Sequence, residues 1–272
     1  MTRRSGDRAP RFAFGGFGVR PWTDSLWARY KRRVRVMLVG TDTDCGKTTI
    51  ACALLRAALA AGLRVLPFKP AASGPAGPDA DSERLLAAAA LPGLTLEQLC
   101  PLRFTAPVAP GLAEDGASDM SKWTCLNGHA ESVALVEVRA ALERLEAQQT
   151  PELTVIEGAG GLWVPMPGGS WLPAWISGLA AAPVVVGRLG LGTINHCLLT
   201  ILGLRQLGLP PRGFFLAQTL PGAEASHAHN ERVIAAASGL ECLGVLAYGT
   251  DPEDTSWLRP GAMSRLITPD HA

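Results

Sequence analysis

The chain has 272 residues, 47% hydrophobic and 18% charged, which excludes a disordered polymer and leaves enough apolar material for a sizeable core. The formal net charge of +1 is unevenly spread, because residues 1–33 carry nine of the 25 Lys and Arg against only Asp7 and Asp24. The remainder holds 16 basic and 22 acidic residues, a net of −6, which argues against a nucleic-acid partner and for small-molecule ligands.

Residues 1–33 contain Gly, Pro and dispersed Arg with no sustained period, and read as a basic appendage. The amphipathic helix and serine enrichment of an organelle transit peptide are missing there. From Val34 onward, short β-branched runs alternate with helical stretches, the pattern of a mostly parallel sheet covered by helices on both faces. Strands are expected near 34–39, 64–68, 153–156, 183–187, 213–217 and 243–247. Helices are expected near 47–61, 81–90, 128–148, 193–207 and 224–238, with Gly62 and Gly208 as left-handed caps. One domain over 34–258 is the expectation, followed by a tail at 259–272. The connection 91–127 is long for such a domain and rich in Pro and Gly.

No apolar run reaches the roughly 18 residues that a membrane span needs. The longest, Gly178 to Leu191, is broken by Pro183 and Arg188. The cysteines Cys45, Cys52, Cys100, Cys125, Cys197 and Cys242 lack CxxC spacing and suitably placed His, so neither a zinc site nor a disulfide framework is expected. A soluble protein of the cytoplasm fits this usage.

The stretch GTDTDCGKTT, Gly40 to Thr49, lies between a buried-strand pattern and a helical one. A loop in that position aims successive backbone N–H groups at one point, where the positive helix end favours a phosphate. Lys47 adds an ammonium and Thr48 a hydroxyl suited to Mg²⁺. The glycine falls at position 40 and Thr41 takes its usual place, so the match to GxxxxGK[ST] is incomplete.

Other polar residues recur where strands end, the side of an open parallel sheet that faces a ligand crevice. Lys69 follows a strand in KPAASG, Glu157 ends another in EGAGG, and Asn195 and His196 sit at a helix start in GLGTINH. Asp81 begins a helix and serves equally well as a simple N-terminal cap.

The ordered set GTDTDCGKT, KPAASG, Asp81, PLRFTAPVAP, EGAGG and GLGTINHCLLT resembles the dethiobiotin synthetase family over about residues 34–249. The resemblance implies a three-layer P-loop NTPase-type α/β fold and a homodimeric ligase. Such a ligase closes the ureido ring of 7,8-diaminopelargonate with CO₂, consuming ATP with Mg²⁺. It further implies Lys69 and Lys47 as catalytic, and Thr43, Asp44, Cys45, Gly46, Lys47, Thr48, Thr49, Asp81, Glu157, Gly158, Ala159 and Gly160 around the nucleotide. Thr48, Asp81 and Glu157 would be Mg²⁺ ligands, and Ser73 would contact substrate. Gly192, Thr193 and Asn195 would reach the substrate carboxylate in the partner subunit.

Two departures fall at the base end of that site. Gln218 stands where the family usually has Asn, and Ala247 stands where it usually has Pro, followed by Tyr248 and Gly249. Three rivals share the P-loop: a switch ATPase of the partitioning type, an amide-forming ligase related to the cobyrinate enzymes, and a nucleotide-binding homologue without turnover. The first usually carries a lysine early in the loop, where this chain has Asp42; the second normally adds a glutaminase domain.

Overall fold

Seven consecutive buried residues, Val34–Gly40, form strand β1. A strand with no solvent face must lie inside a sheet covered on both sides. In this computed structural model, which describes residues 33–115, 132–222, 225–251 and 254–268, β1 is followed by β2 (Val65–Phe68), β3 (Ala71–Ser73), β4 (Leu102–Phe104) and β5 (Leu153–Gly161). Then come β6 (Pro165–Met166), β7 (Ser170–Trp171), β8 (Ala182–Arg188), β9 (Phe214–Ala217) and β10 (Cys242–Leu246). The helices are α1 (Lys47–Ala60), α2 (Asp81–Ala89), α3 (Leu96–Leu99), α4 (Pro110–Asp115), α5 (Val133–Gln149), α6 (Leu172–Gly178), α7 (Thr193–Gln206), α8 (His227–Ser238) and α9 (Ala262–Ile267). The expected appendage up to residue 32, Cys125, and the first residues of the helix expected from 128 lie outside the described residues.

The main sheet has the order β10-β9-β8-β1-β5-β2, and its pairings are parallel. Chain progress from β1 to β2 runs one way across it, and progress from β5 to β8, β9 and β10 runs the other. Right-handed crossovers therefore put α1 on one face and α5, α7 and α8 on the other. Between the layers lie Met37, Ile50, Leu54, Phe68, Ile156, Trp175 and Phe214, all fully buried.

Gly62 and Gly208 take φ of 79° and 71°, the left-handed caps expected after α1 and α7. Three expectations need correction. β5 does not stop at residue 156 but continues through EGAGG, with Glu157 opposite Leu38 and Gly161 opposite Gly40. The glycines permit this, because a Cβ on Gly158 would lie 2.9 Å from Leu38 O. The connection from 91, to which no strand or helix is assigned above, contains short elements. It holds α3, opened by a Thr95–Gln98 capping box, then β4 paired in parallel with β3, then α4. These elements are too short to show a period. Finally, the segment from 259 does not trail away. Ala262 and Leu266 of α9 are buried, and the Arg212 guanidinium donates to Leu266 O.

A buried ion pair braces the start of the central strand. Arg35 gives Nε to Glu146 Oε1 at 2.9 Å and Nη2 to Oε2 at 2.7 Å, and its Nη1 donates to Leu179 O at 2.8 Å. Thr154 Oγ1 donates to Glu146 Oε1 at 2.8 Å, so the carboxylate joins α5 to β1 and β5.

Candidate active site

The ends of β1, β2, β5, β9 and β10 open on one cleft of about 680 Å³. Its floor is the loop between β1 and α1. Gly46 caps α1 at φ 96°, and a Cβ there would lie 2.5 Å from Ala217 Cβ, so only glycine fits both the turn and the approach to β9. Gly40 is equally constrained: a Cβ would lie 2.6 Å from both Gly160 O and Lys47 Nζ. That close approach accounts for a glycine one position earlier than the usual pattern. Lys47 is buried, and its Nζ donates to Asp42 O at 2.8 Å, which holds the ammonium over its own loop.

Beside this loop four side chains meet. Lys69 Nζ lies 2.8 Å from Glu157 Oε1 and 2.9 Å from Asp81 Oδ2. Thr48 Oγ1 lies 2.7 Å from Asp81 Oδ1 and 2.8 Å from Glu157 Oε1. One hydroxyl proton serves only one of these oxygens at a time. Glu157 Oε2 is buried and has no hydrogen-bond partner among the described residues. Asp81 does not act as the cap of α2, for Ala80 holds that position and makes no side-chain cap. Its carboxylate turns instead to Thr48 and Lys69.

Burial acts to lower the Lys69 pKa, but the adjacent Glu157 and Asp81 charges outweigh it and hold the pKa above the ordinary lysine value. Lys69 is therefore a fixed cation at neutral pH and unsuited to act as a base. Burial likewise tends to raise the Asp81 pKa, yet the Lys69 charge and the Thr48 hydroxyl bring it below its ordinary value. The Lys69 backbone is fixed as well, its N–H donating to Leu99 O at 2.9 Å.

A family model described as "AAA domain" matches residues 34–254. The ATP-dependent dethiobiotin synthetase BioD of Anaeromyxobacter dehalogenans (strain 2CP-C) is 38% identical over 218 residues, covering 79% of this chain and 91% of that protein. Its counterpart from Anaeromyxobacter sp. (strain Fw109-5) is 40% identical over 221 residues, with the same coverage of both. The chain belongs to the dethiobiotin synthetase family. Among solved structures, chloroplast FtsY from Physcomitrella patens is similar at TM-score 0.51 and 15% identity, covering 88% of this chain and 66% of that one. At that identity the likeness concerns the fold alone, which is of the P-loop NTPase type.

In this synthetase-family chain the cleft gathers most of the residues singled out in the sequence. Thr43, Asp44, Gly46, Lys47, Thr48 and Thr49 line it, as do Lys69, Ser73, Asp81, Glu157, Gly158, Ala159 and Gly160. Gln218, Ala247, Tyr248 and Gly249 close its far end. Cys45 does not line it. The thiol points down under the loop, 1% exposed, and donates to Val186 O at 3.3 Å, which removes it as a reactive group in the cleft.

Gly192, Thr193 and Asn195 also lie outside this cleft, at the start of α7. Gly192 caps that helix at φ 90° and Asn195 is exposed. The Thr193 side chain turns inward, 3.6 Å from Cys197 Sγ, beneath a helix end that the bare Gly187 allows to sit close to β8. Sequence reasoning missed Arg84, Thr219, Thr250 and the run Pro107–Val108–Ala109–Pro110, which complete the cleft wall. The Pro-rich run was visible within PLRFTAPVAP, but its position depends on β4 pairing with β3.

Proposed function

We propose that this chain is a dethiobiotin synthase, which carboxylates and cyclises 7,8-diaminopelargonate with CO₂ at the expense of ATP and releases dethiobiotin, ADP and phosphate. The observation that carries this reading is the Lys69–Glu157–Asp81–Thr48 cluster beside the P-loop, in a chain of the synthetase family. One amine of the substrate takes up CO₂, loses a proton and becomes a carbamate. A carbamate oxygen attacks the γ-phosphorus, ADP leaves, and a carbamic-phosphoric anhydride forms. The second amine then attacks the carbonyl carbon and expels phosphate.

This chemistry joins two anions, so the protein's task is alignment and charge neutralisation. Lys69, kept protonated by its carboxylate neighbours, holds the carbamate and transferring phosphoryl oxygens. Lys47 and the N–H groups from Thr43 to Thr49 hold the triphosphate. Gly158, Ala159 and Gly160 flank the nucleotide, and Ser73 contacts the diamine. Gln218, Ala247, Tyr248 and Gly249 border the base.

Thr48, Asp81 and Glu157 are the residues that would hold Mg²⁺. They fit a hard cation that keeps several waters, because their oxygens converge and Glu157 Oε2 is buried without a partner. When bound, the ion would neutralise phosphate oxygens.

The substrate carboxylate is held by Gly192, Thr193 and Asn195 of a second copy in a homodimer, Thr193 acting through its backbone. In support, the leucines around this helix start are exposed, Leu191 at 82%, Leu199 at 61% and Leu202 at 53%. The catalytic unit begins at about residue 34, with 1–33 an appendage. Among the described residues no helix is long and apolar enough to cross a membrane. We place the enzyme in the cytoplasm, where ATP is supplied and where free thiols such as Cys52 and Cys100 persist.

The test is phosphate release from ATP with Mg²⁺ and bicarbonate, with and without the diamine. Release that depends on the diamine, with the cyclic urea appearing in step, is the expected result. Hydrolysis indifferent to the diamine would refute the biosynthetic reading.

A further inference from the structure

Arg84 stands on the wall of the cleft, three residues past Asp81 on α2, and the reaction as derived above leaves it without a task. Its Nη2 donates to Thr49 Oγ1 at 3.2 Å, which brings the guanidinium against the first turn of α1. The carboxylates near it are engaged elsewhere. Asp81 and Glu157 face Lys69 and Thr48, and Glu83 accepts from Ser82 Oγ at 2.7 Å. Among the described residues no ion pair is formed by Arg84, so a half-buried cation on a cleft wall has only a hydroxyl for a partner.

A guanidinium in that situation is matched by an anion with paired oxygens, and phosphate fits its fork. Its neighbour decides which phosphate. Lys69 and its two carboxylates mark the transfer end of the cleft, and Arg84 touches none of them. It meets Thr49 instead, in the helix turn whose N–H groups cradle the phosphates that stay with the nucleotide. We propose that Arg84 is a nucleotide-binding residue that grips a phosphate retained in the diphosphate product. This rests on the nucleotide reading of the cleft. Arg84 thereby adds to the affinity for substrate and product nucleotide alike and leaves the transfer step untouched.

The experiment is calorimetric titration of the full-length protein with ADP, and with a non-hydrolysable ATP analogue, in the presence of Mg²⁺. It compares wild type with Arg84→Met, Arg84→Gln and Arg84→Lys, each checked for its melting temperature. Arg84→Gln keeps a donor for Thr49 but loses the charge, so it separates phosphate binding from a mere clamp between α1 and α2. We expect Kd to rise roughly tenfold or more for both nucleotides in the Met and Gln variants, with partial recovery in Lys.

Unchanged ADP affinity in Arg84→Gln would overturn the proposal. So would a loss confined to the ATP analogue or to the KM of the diamine, the latter pointing to a substrate carboxylate as the anion. Wild-type protein that fails to bind ADP would instead refute the nucleotide reading itself.

Discussion

Lys69, one residue past the end of β2, faces Glu157 in the middle of the neighbouring strand β5, Nζ to Oε1 at 2.8 Å, with side-chain exposures of 4% and 1%. A buried pair of this kind is costly to break, because the surviving charge loses its partner. Asp81 and Thr48 complete the cluster, so removal of Lys69 leaves two carboxylates close together. Lys69→Ala is expected to lower dethiobiotin formation by at least ~10²-fold, the order seen when a transition-state charge contact is lost. ADP binding should remain measurable in that variant, whereas Lys47→Ala should lose both. Normal turnover by Lys69→Ala would remove it from the mechanism, and circular dichroism guards against misfolding as the cause.

Much of this site could be read before the fold was known, because its parts are local. Gly46, Lys47 and Thr48 follow a seven-residue buried strand, Lys69 follows the end of β2, and Glu157 opens the glycine-rich half of β5 that lines the cleft. What escaped depends on packing between distant segments. Arg84 reaches the cleft only because α2 lies against α1, and Pro107–Pro110 only because β4 pairs with β3. The inward turn of Thr193 follows from the bare Gly187 beneath α7. Asp81 is ambiguous in the sequence because a helix cap and a cleft carboxylate have the same local pattern, and what separates them is contact with Lys69, 12 residues away, and with Thr48.

The Arg35–Glu146 pair makes a separate prediction about stability. Both side chains are buried, and Glu146 also accepts from Thr154, so one substitution strands several polar groups. Glu146→Leu alone should cost about 3–5 kcal/mol, which for a domain of this size is on the order of 10 °C in melting temperature. Combining it with Arg35→Met should recover most of that loss, since an apolar pair leaves no stranded charge. A double variant no more stable than the single one would contradict the argument, and thermal melts of the four proteins decide it.

Four buried thiols predict the alkaline limit of the fold. Burial pushes Cys52 and Cys197 up to about 11, and Cys100 and Cys242 up to about 12, from an ordinary value of 9.0. The folded chain thus holds these protons more tightly than the unfolded one. Their contribution is fully present below pH 9 and is lost as the pH rises through the range of about 11 to 12. Melting temperature should accordingly decline above pH 9. At pH 8 these four residues should resist iodoacetamide in the native protein and react once it is unfolded, as peptide mapping by mass spectrometry would read. Rapid native labelling at Cys52 or Cys100 would show that burial does not protect them.

Gln218 lines the cleft with its side-chain amide already occupied. Its Nε2 donates to Leu220 O at 3.0 Å and to Gly222 O, and its Oε1 accepts from Tyr248 N–H at 3.4 Å. Both amide protons are therefore spent on the backbone, and the side chain ties the loop after β9 to the loop after β10. An amide that distinguishes adenine must offer a donor as well as an acceptor to the base edge, and here only a lone pair of Oε1 remains. Base selectivity from this residue should be weak. Values of kcat/KM for ATP, GTP and CTP are expected to fall within about tenfold of one another, equivalent to about 1.4 kcal/mol. Gln218→Ala should raise KM for all three together, because it loosens a loop rather than removing a base contact. An ATP preference of a thousandfold in wild type, abolished in Gln218→Ala, would show instead that the amide leaves the loop and turns to the base when nucleotide binds.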